Sequence, residues 1–273
     1  MPADAPQPAI SGTTRLLGFL GDPVIHARSP QNFNPRLAAS GHDAVLVPLH
    51  VPAERFEAAI PGLLALANLD GLVVTMPYKE RLIPWLDSIS ERARDVGAVN
   101  AARRLPDGRW VGDIFDGIGL VGAVGSLGLS PAGMRAGLVG AGGAGAAIAF
   151  ALAEAGVSAL SIVDQNEARA SQLCARIAAK GRLAPKAGRF AVGNLDLLVH
   201  ATPVGMMPED GIAIDIAGLS ALTAVVDIVT KPSTPLLRAA TEAGCRVAGG
   251  GAMVAAQTAA IARFLGYALV EQV

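Results

Sequence analysis

The architecture of this chain is written most plainly in Gly137-Leu138-Val139-Gly140-Ala141-Gly142-Gly143-Ala144-Gly145-Ala146-Ala147-Ile148-Ala149-Phe150-Ala151-Leu152-Ala153-Glu154-Ala155-Gly156-Val157-Ser158-Ala159-Leu160-Ser161-Ile162-Val163-Asp164. The first three residues form a short apolar run, and a glycine-rich turn follows. An alanine-rich segment then predicts a helix, closed by Gly156 where helices commonly end. A second apolar run, 159–163, delivers Asp164, 24 residues after Gly140. Strand, tight turn, helix, strand and a terminal acid is the order of a dinucleotide-binding unit. Gly140 permits the turn, Gly142 lets a diphosphate approach the backbone, and Gly145 lets helix and strand pack closely. Ala141, Gly143 and Ala144 complete the cradle. The helix N-terminus adds N–H donors and a positive dipole end.

Residues 136–153 carry no charge, which also suits a membrane span. Glycine crowding opposes that reading, since each glycine costs a bare helix about 1 kcal/mol relative to alanine. Glu154 then interrupts the run. The strand–turn–helix reading is preferred.

The 273 residues suffice for one large domain or two ordinary ones. With 22 basic and 23 acidic residues the charge nearly cancels, so composition offers nothing to nucleic acid or an anionic membrane. The apolar fraction of 52 %, rich in alanine and valine, suits buried parallel strands flanked by small-residue helices. Cys174 and Cys245, far apart and outside any CxxC, point to buried thiols in a reducing compartment. His26, His42, His50 and His200 lack ligand-like spacing, so they read as structural and no metal is predicted. No secretory pattern opens the sequence, so a cytoplasmic, soluble protein is expected, with residues 1–12 as a tail.

Along the chain, strands are predicted at 16–20, 44–51, 71–76, 97–104 and 109–112, the last two around the Pro106-Asp107-Gly108 turn. Helices are expected from Ser29, with Ser29 as N-cap and Pro30 at the first helical position, over 52–67, and in pieces from Pro77 to Asp95. A helix over 116–125 leads into the dinucleotide unit. Beyond Asp164, helices at 168–180, 235–243 and 252–266 alternate with strands at 196–200, 224–229 and 246–248. The fold class is α/β, with mainly parallel sheets. The boundaries drawn are 13–115, completed by 252–273, for an N-terminal α/β substrate domain, and 116–251 for a Rossmann-type domain, with a cleft between them.

Eight ordered segments then carry a resemblance. They are Gly21-Asp22-Pro23-Val24-Ile25-His26-Ala27-Arg28-Ser29-Pro30, Val74-Thr75-Met76-Pro77-Tyr78-Lys79, Gly97-Ala98-Val99-Asn100, Gly112-Asp113-Ile114-Phe115-Asp116-Gly117, the glycine turn, Ala201-Thr202-Pro203-Val204-Gly205-Met206, Lys231-Pro232-Ser233-Thr234-Pro235-Leu236-Leu237, and Gly250 through Met253 to Gln257. Together they resemble the shikimate/quinate dehydrogenases, which pass hydride from a ring hydroxyl of a polyhydroxy carboxylic acid to a nicotinamide cofactor. The resemblance implies Lys79 and Asp116 as catalytic pair. It implies Thr75, Asn100, Asp116 and Gln257 on substrate hydroxyls, Ser29 on the carboxylate, and Phe115 at a pocket position. For the cofactor it implies the glycine turn with Asp164, Arg169, Thr202, Val204, Gly250 and Met253.

The residue types fit that chemistry. Alcohol oxidation needs a group to take the hydroxyl proton, and a lysine beside a carboxylate titrates as a coupled unit suited to it. Taken singly, the same residues have plainer roles: Lys79 a solvated lysine in a first helical turn, Asp116 and Ser29 helix caps, Thr75 a strand end, Asn100 and Gln257 surface amides. Three departures concern the substrate. Ala27 stands where the family usually has a second carboxylate-gripping serine, Ile114-Phe115-Asp116 replaces Asn-Thr-Asp, and Thr230 replaces a tyrosine. A fourth concerns the cofactor. Asp164-Gln165-Asn166 replaces the Asn-Arg-Thr of NADP-using relatives, and a carboxylate there accepts from a ribose hydroxyl and repels a phosphate. NAD is therefore expected, with NADP the lesser alternative. The expected function is shikimate- or quinate-type dehydrogenation by a monomer or homodimer. The competing expectations are an aminoshikimate-like ring acid as substrate, or a non-catalytic dinucleotide-binding regulator.

Overall fold

Two units partition the chain in the computed structural model, which describes residues 10–270 except His26, Arg182 and Pro208. The expectation for His26, residues 1–9 of the expected tail, and residues 271–273 therefore fall outside the described residues. One unit takes the chain up to Phe115 and again from Thr258; the other is Asp116–Gln257.

The first unit contains β1 (Arg15–Gly21), α1 (Ser29–Ala39), β2 (Ala44–His50), α2 (Phe56–Leu64), β3 (Leu69–Val74), α3 (Tyr78–Arg81), β4 (Ser88–Ile89), α4 (Glu91–Val96), β5 (Ala101–Arg104) and β6 (Trp110–Asp113). Its sheet runs β2-β1-β3-β5-β6-β4. β1 lies parallel to both β2 and β3, and both faces of its second half are buried, as an interior strand of an α/β layer requires. β5 is antiparallel to β3, and antiparallel to β6 because the Pro106-Asp107-Gly108 turn joins those two too tightly for a crossover. Gly108, at φ +89°, supplies the left-handed residue of that turn. Leu17, Phe33, Leu37, Leu46 and Val73 form the core with Ile261, Leu265 and Tyr267 from the chain's end.

Three local expectations change. Ser29 is the first helical residue of α1, not its cap; Arg28 occupies that position and its side chain makes no capping bond. Proline at the helix start has no N–H, so the first turn has one donor fewer to satisfy. The segment 52–67 divides into a 3₁₀ turn, Ala53–Arg55, and α2. β4, and β9 in the second unit, are two-residue edge strands, too short to carry a periodic pattern.

The second unit contains α5 (Asp116–Ser126), β7 (Arg135–Val139), α6 (Gly143–Glu154), β8 (Ala159–Val163), α7 (Glu167–Ala178), β9 (Lys186–Ala187), β10 (Leu197–His200), β11 (Ala224–Asp227), α8 (Pro235–Glu242) and β12 (Arg246–Gly249). All its strands are parallel, in the order β12-β11-β10-β7-β8-β9. From β7 the chain winds one way through β8 and β9, then returns to β10 and winds the other way. That reversal lies between the carboxyl ends of β7 and β10, where doubly wound sheets bind ligands.

α5 and α6 touch closely: a side chain at Gly117 would stand 2.6 Å from Ala151 Cβ and 2.7 Å from the Ala147 carbonyl. α9 (Gly250–Phe264) starts in this unit and ends in the first. Residues 252–257, expected with the first domain, group with the second, because Met253 and Gln257 pack on Gly119 of α5. Among the described residues no helix is long and apolar enough to cross a membrane.

Candidate active site and dinucleotide site

In the first unit, backbone bonds gather three of the candidate residues at the carboxyl end of β3. Thr75 follows β3 directly; its N–H donates to Leu20 O at 2.9 Å, and its methyl lies where a side chain at Gly21 would fall. Asn100 accepts at its carbonyl from Val74 N (2.8 Å) and donates its own N–H to Asp113 O (2.9 Å). Lys79 O accepts from Val99 N at 2.8 Å, tying α3 to the same edge.

The helix carrying Lys79 is held from below by Tyr78. That ring is fully buried, stacks on Phe56 at 4.3 Å, and its hydroxyl donates to Val51 O. Burial, and then the charge of Asp22, push the Tyr78 hydroxyl up from its ordinary range. Arg81 covers both rings and bonds Ala53 O and Glu57. Asp22 ties the neighbouring loop by accepting from Ala53 N at 3.0 Å and pairing with His50. A side chain in this position is presented by rigid supports.

Phe115 departs from expectation. Its ring belongs to the first unit's core, under the Arg92 guanidinium (4.5 Å) and beside Phe264, and is only 4 % exposed. It therefore offers no face to a substrate. Its contribution is through the backbone: Phe115 N donates to Asn100 Oδ1 at 2.9 Å. That bond occupies one acceptor position of the Asn100 amide oxygen and fixes the side chain. Arg92 is locked in turn by a two-pronged bond to Asp113, which also accepts from Ser90.

In the second unit, Asp116 opens α5 and is buried. Gly119, one turn later, lets α9 approach: a side chain there would meet Met253 O at 2.8 Å and Gln257 Cβ at 3.3 Å. Asp116 and Gln257 thus stand on packed helices of one unit. Met253 is buried in that packing, and a side chain at Gly250 would strike Ile228 O at 2.3 Å. Both positions have packing roles whatever else they touch.

Of the glycines that follow β7, Gly140, Gly142 and Gly145 meet different surroundings. Gly140, at φ +105°, would drive a side chain to 2.6 Å from Ala201 O, and one at Gly145 would stand 2.1 Å from Gly140 O. A side chain at Gly142 would meet nothing within 4 Å. The protein's own packing does not require that glycine; the space above it is open to a group that needs the backbone bare. Gly142 is also the N-cap of α6 and has no side chain to cap with, so first-turn N–H groups are left for a ligand. These residues fit a dinucleotide.

Asp164, partly buried at the end of β8, has a second role: Oδ2 accepts from Ala141 N (2.7 Å) and Oδ1 from Asn166 N (2.8 Å). Arg169 is exposed on α7, where its N–H bonds the capping Asn166 side chain at 3.1 Å. Val204 N donates to Thr202 Oγ1 at 3.2 Å. Asp210 closes the loop after Val204, accepting from Met207 N and Gly205 N, and these bonds hold its carboxyl below the usual range.

Sequence reading passed over Asp227, and took His200 as structural. The two are buried against each other at the carboxyl ends of β11 and β10. The visible signal was an acid ending the apolar run 224–226, beside a histidine ending 197–199. Among the described residues there is no group of three or more His, Cys, Asp or Glu side chains that could hold a metal ion.

With this geometry established, the comparisons are specific. The family model of the shikimate dehydrogenase substrate binding domain matches residues 19–102. A shikimate dehydrogenase (NADP(+)) of Rubrobacter xylanophilus is 42 % identical over 87 % of this chain and 85 % of its own. A shikimate 5-dehydrogenase from Listeria monocytogenes, solved with shikimate and NAD, is 31 % identical, with a TM-score of 0.83 over 97 % of this chain and 96 % of that one. A quinate dehydrogenase from Corynebacterium glutamicum, solved with NAD, is also 31 % identical, with a TM-score of 0.81 over 92 % and 93 %.

Proposed function

We propose a function from one premise: the chain belongs to the shikimate dehydrogenase family, whose members are NAD(P)-dependent oxidoreductases acting on a CH–OH group. The proposed reaction is reversible hydride transfer between a nicotinamide cofactor and a ring hydroxyl of shikimate, or of quinate. The observation that carries it is the open glycine cradle of the second unit in a chain whose first unit rigidly presents Thr75, Lys79 and Asn100.

The roles follow from the residue chemistry. Lys79 and Asp116 act as the catalytic pair, taking the proton of the reacting hydroxyl and returning it in reduction. Thr75, Asn100 and Gln257 hold ring hydroxyls, and Ser29 holds the carboxylate. Phe115 supports Asn100 from behind. The bound nicotinamide supplies hydride acceptance and donation. The glycine turn and the α6 N-terminus hold its diphosphate, with Thr202, Val204, Gly250, Met253 and Arg169 around the remainder.

For the cofactor we propose NAD, because an acid at the end of the second strand of a dinucleotide unit suits an unphosphorylated ribose hydroxyl and repels a phosphate there. NADP is the reading favoured by the name of the Rubrobacter xylanophilus relative, and the anchoring bonds of Asp164 give its carboxylate a purpose independent of cofactor choice. The proposed protein works in the cytoplasm as a monomer or homodimer. The test is a matrix of NAD and NADP against shikimate, quinate and an aminoshikimate-like acid, followed by absorbance of the reduced nicotinamide. Turnover of shikimate or quinate is expected. Dinucleotide binding without turnover of any ring acid would replace the enzyme by a dinucleotide-binding regulator.

A further inference from the structure

The second unit contains a polar chain whose inner members, His200 and Asp227, have no part in the reaction above. Asp227 is fully buried and accepts three bonds: from Thr234 Oγ1 (2.6 Å), from Val229 N (3.1 Å) and from His200 Nδ1 (2.9 Å). On its other side the His200 ring meets Thr202 Oγ1 at 2.5 Å through Nε2. Thr202 Oγ1 also accepts from Val204 N. The Thr202 methyl lies 2.9 Å from where a side chain at Gly140 would begin, against the first glycine of the phosphate turn. A continuous path thus runs from a buried carboxylate at β11, through β10, to the glycine turn after β7.

We propose that His200 is a positioning residue for the dinucleotide site, holding Thr202 in the one rotamer that backs the Gly140 turn. The inference rests on the dinucleotide reading given above. One ring nitrogen of His200, Nδ1, faces the Asp227 carboxylate, and the other, Nε2, bonds the Thr202 hydroxyl. The Thr202 hydroxyl is therefore engaged on the His200 side, and its oxygen also takes the Val204 N–H. A β-branched side chain has few χ1 choices. With its hydroxyl turned to His200 and its methyl seated on Gly140, Thr202 is fixed on both sides. Freed from His200, the side chain can rotate, and the turn loses its backing.

The test is calorimetric titration of the full-length chain with NAD and with NADP, with a thermal melt of each variant. His200→Asn and Thr202→Val, which each break the His200–Thr202 bond, are each expected to weaken the tighter-binding dinucleotide about tenfold, the size of one hydrogen bond's loss, and Thr202→Ser, which keeps the hydroxyl but removes the methyl from Gly140, weakens it by a similar factor. If His200 acts through Thr202, the double variant binds no more weakly than the weaker single one. Additive losses, or a folded His200→Asn chain that binds as wild type, overturn the inference. If His200→Asn does not fold, Thr202→Val carries the test by nitrogen NMR of the imidazoles: the His200 Nε2 resonance must shift as the affinity falls, and an unshifted resonance overturns the relay. A wild-type chain that binds neither dinucleotide overturns the functional reading and this inference together. Wild-type binding that is indifferent to His200 overturns this inference alone.

Discussion

Asp164 Oδ2 accepts the Ala141 N–H at 2.7 Å, so the acid ending β8 holds the second residue of the glycine turn that follows β7. The same carboxylate takes Asn166 N with its other oxygen and so shapes the entry to α7. A carboxylate offers two acceptor oxygens; an asparagine offers one, and turns an NH2 toward one of the two N–H groups. Asp164→Asn is therefore expected to weaken NAD through the lost anchor, while the relief of charge repulsion offsets part of that loss for NADP. Gln165→Arg leaves the anchor intact and adds a partner for a phosphate. It is expected to raise kcat/KM for NADP relative to NAD by about tenfold, the worth of one charge-assisted bond. Steady-state kinetics with both cofactors checks this. An Asp164→Asn enzyme that binds NADP more tightly and NAD unchanged would show that the anchoring bonds matter little.

Lys79 gives the most direct test of the chemistry. Lys79→Ala is expected to lower kcat by about 10²–10⁴-fold, the usual worth of a positioned proton-transfer group, with the dinucleotide Kd nearly unchanged. The support beneath it has its own signature. Tyr78→Phe keeps the stack on Phe56 but removes the bond to Val51 O, leaving a carbonyl without its donor at a stability cost of about 1–3 kcal/mol. Its kcat should fall much less than that of Lys79→Ala. Near-normal turnover in Lys79→Ala would remove the residue from the mechanism.

Much of this was legible in the sequence for physical reasons. Gly140, Gly142 and Gly145 each answer a different steric demand, and in the structure one sits in left-handed backbone, one faces open space and one lies under a carbonyl. Long apolar strands such as β1 and β3 announced themselves by burial on both faces, whereas β4 and β9 pair over two residues and leave no pattern. Side-chain direction was not legible. Phe115 read as a pocket residue, but its ring turned into the core because Arg92 and Phe264 offer it two faces there. Asp164 read as a ribose ligand, and its bond to Ala141, 23 residues away, depends on how two strand ends meet. The pairing of His200 with Asp227 likewise exists only because β10 and β11 are in register.

The end of the chain is fastened by a pH-sensitive pair. The Tyr267 hydroxyl donates to Asp70 Oδ2 at 2.5 Å, and Arg15 pairs with the same carboxylate. Burial, reinforced by the bond to Asp70, pushes the Tyr267 hydroxyl well above the ordinary value of about 10. The folded value is above the unfolded one, so this contribution is full below about pH 10 and is lost as pH rises through the folded value. Burial works against ionisation of Asp70, but the bonds from Arg15 and Tyr267 prevail and hold it below its ordinary range. Its contribution is present above about pH 4 and is lost as pH falls through the folded value. Tyr267→Phe is expected to lower stability at neutral pH and flatten the alkaline loss. Trp85 and Trp110, the only tryptophans, lie in this unit and report its urea unfolding by fluorescence. An alkaline limb as steep in Tyr267→Phe as in wild type would assign the loss to other groups.

At the expected carboxylate grip, Ala27 departs from the second serine that the family resemblance implies. A carboxylate leaving water needs replacement donors, and each missing charge-assisted bond costs roughly 1.5–3 kcal/mol. Ser29 is not the cap of α1, so its hydroxyl is not committed to the helix's first N–H groups. Two residues earlier, Ala27 donates its N–H to Val24 O at 3.0 Å and packs its methyl on the core. A serine there adds one hydroxyl to a position already fixed by its backbone. Ala27→Ser is expected to lower the KM for shikimate by about tenfold with little change in kcat, because the carboxylate is remote from the reacting carbon and its grip acts equally on ground and transition states. Initial-rate kinetics of both enzymes on shikimate measures the split. A wild-type KM that is already low, or a serine variant with a higher one, would mean that the acid is held by donors other than the pair at 27 and 29. A fall in kcat matching the fall in KM would instead place the new hydroxyl against the reacting ring.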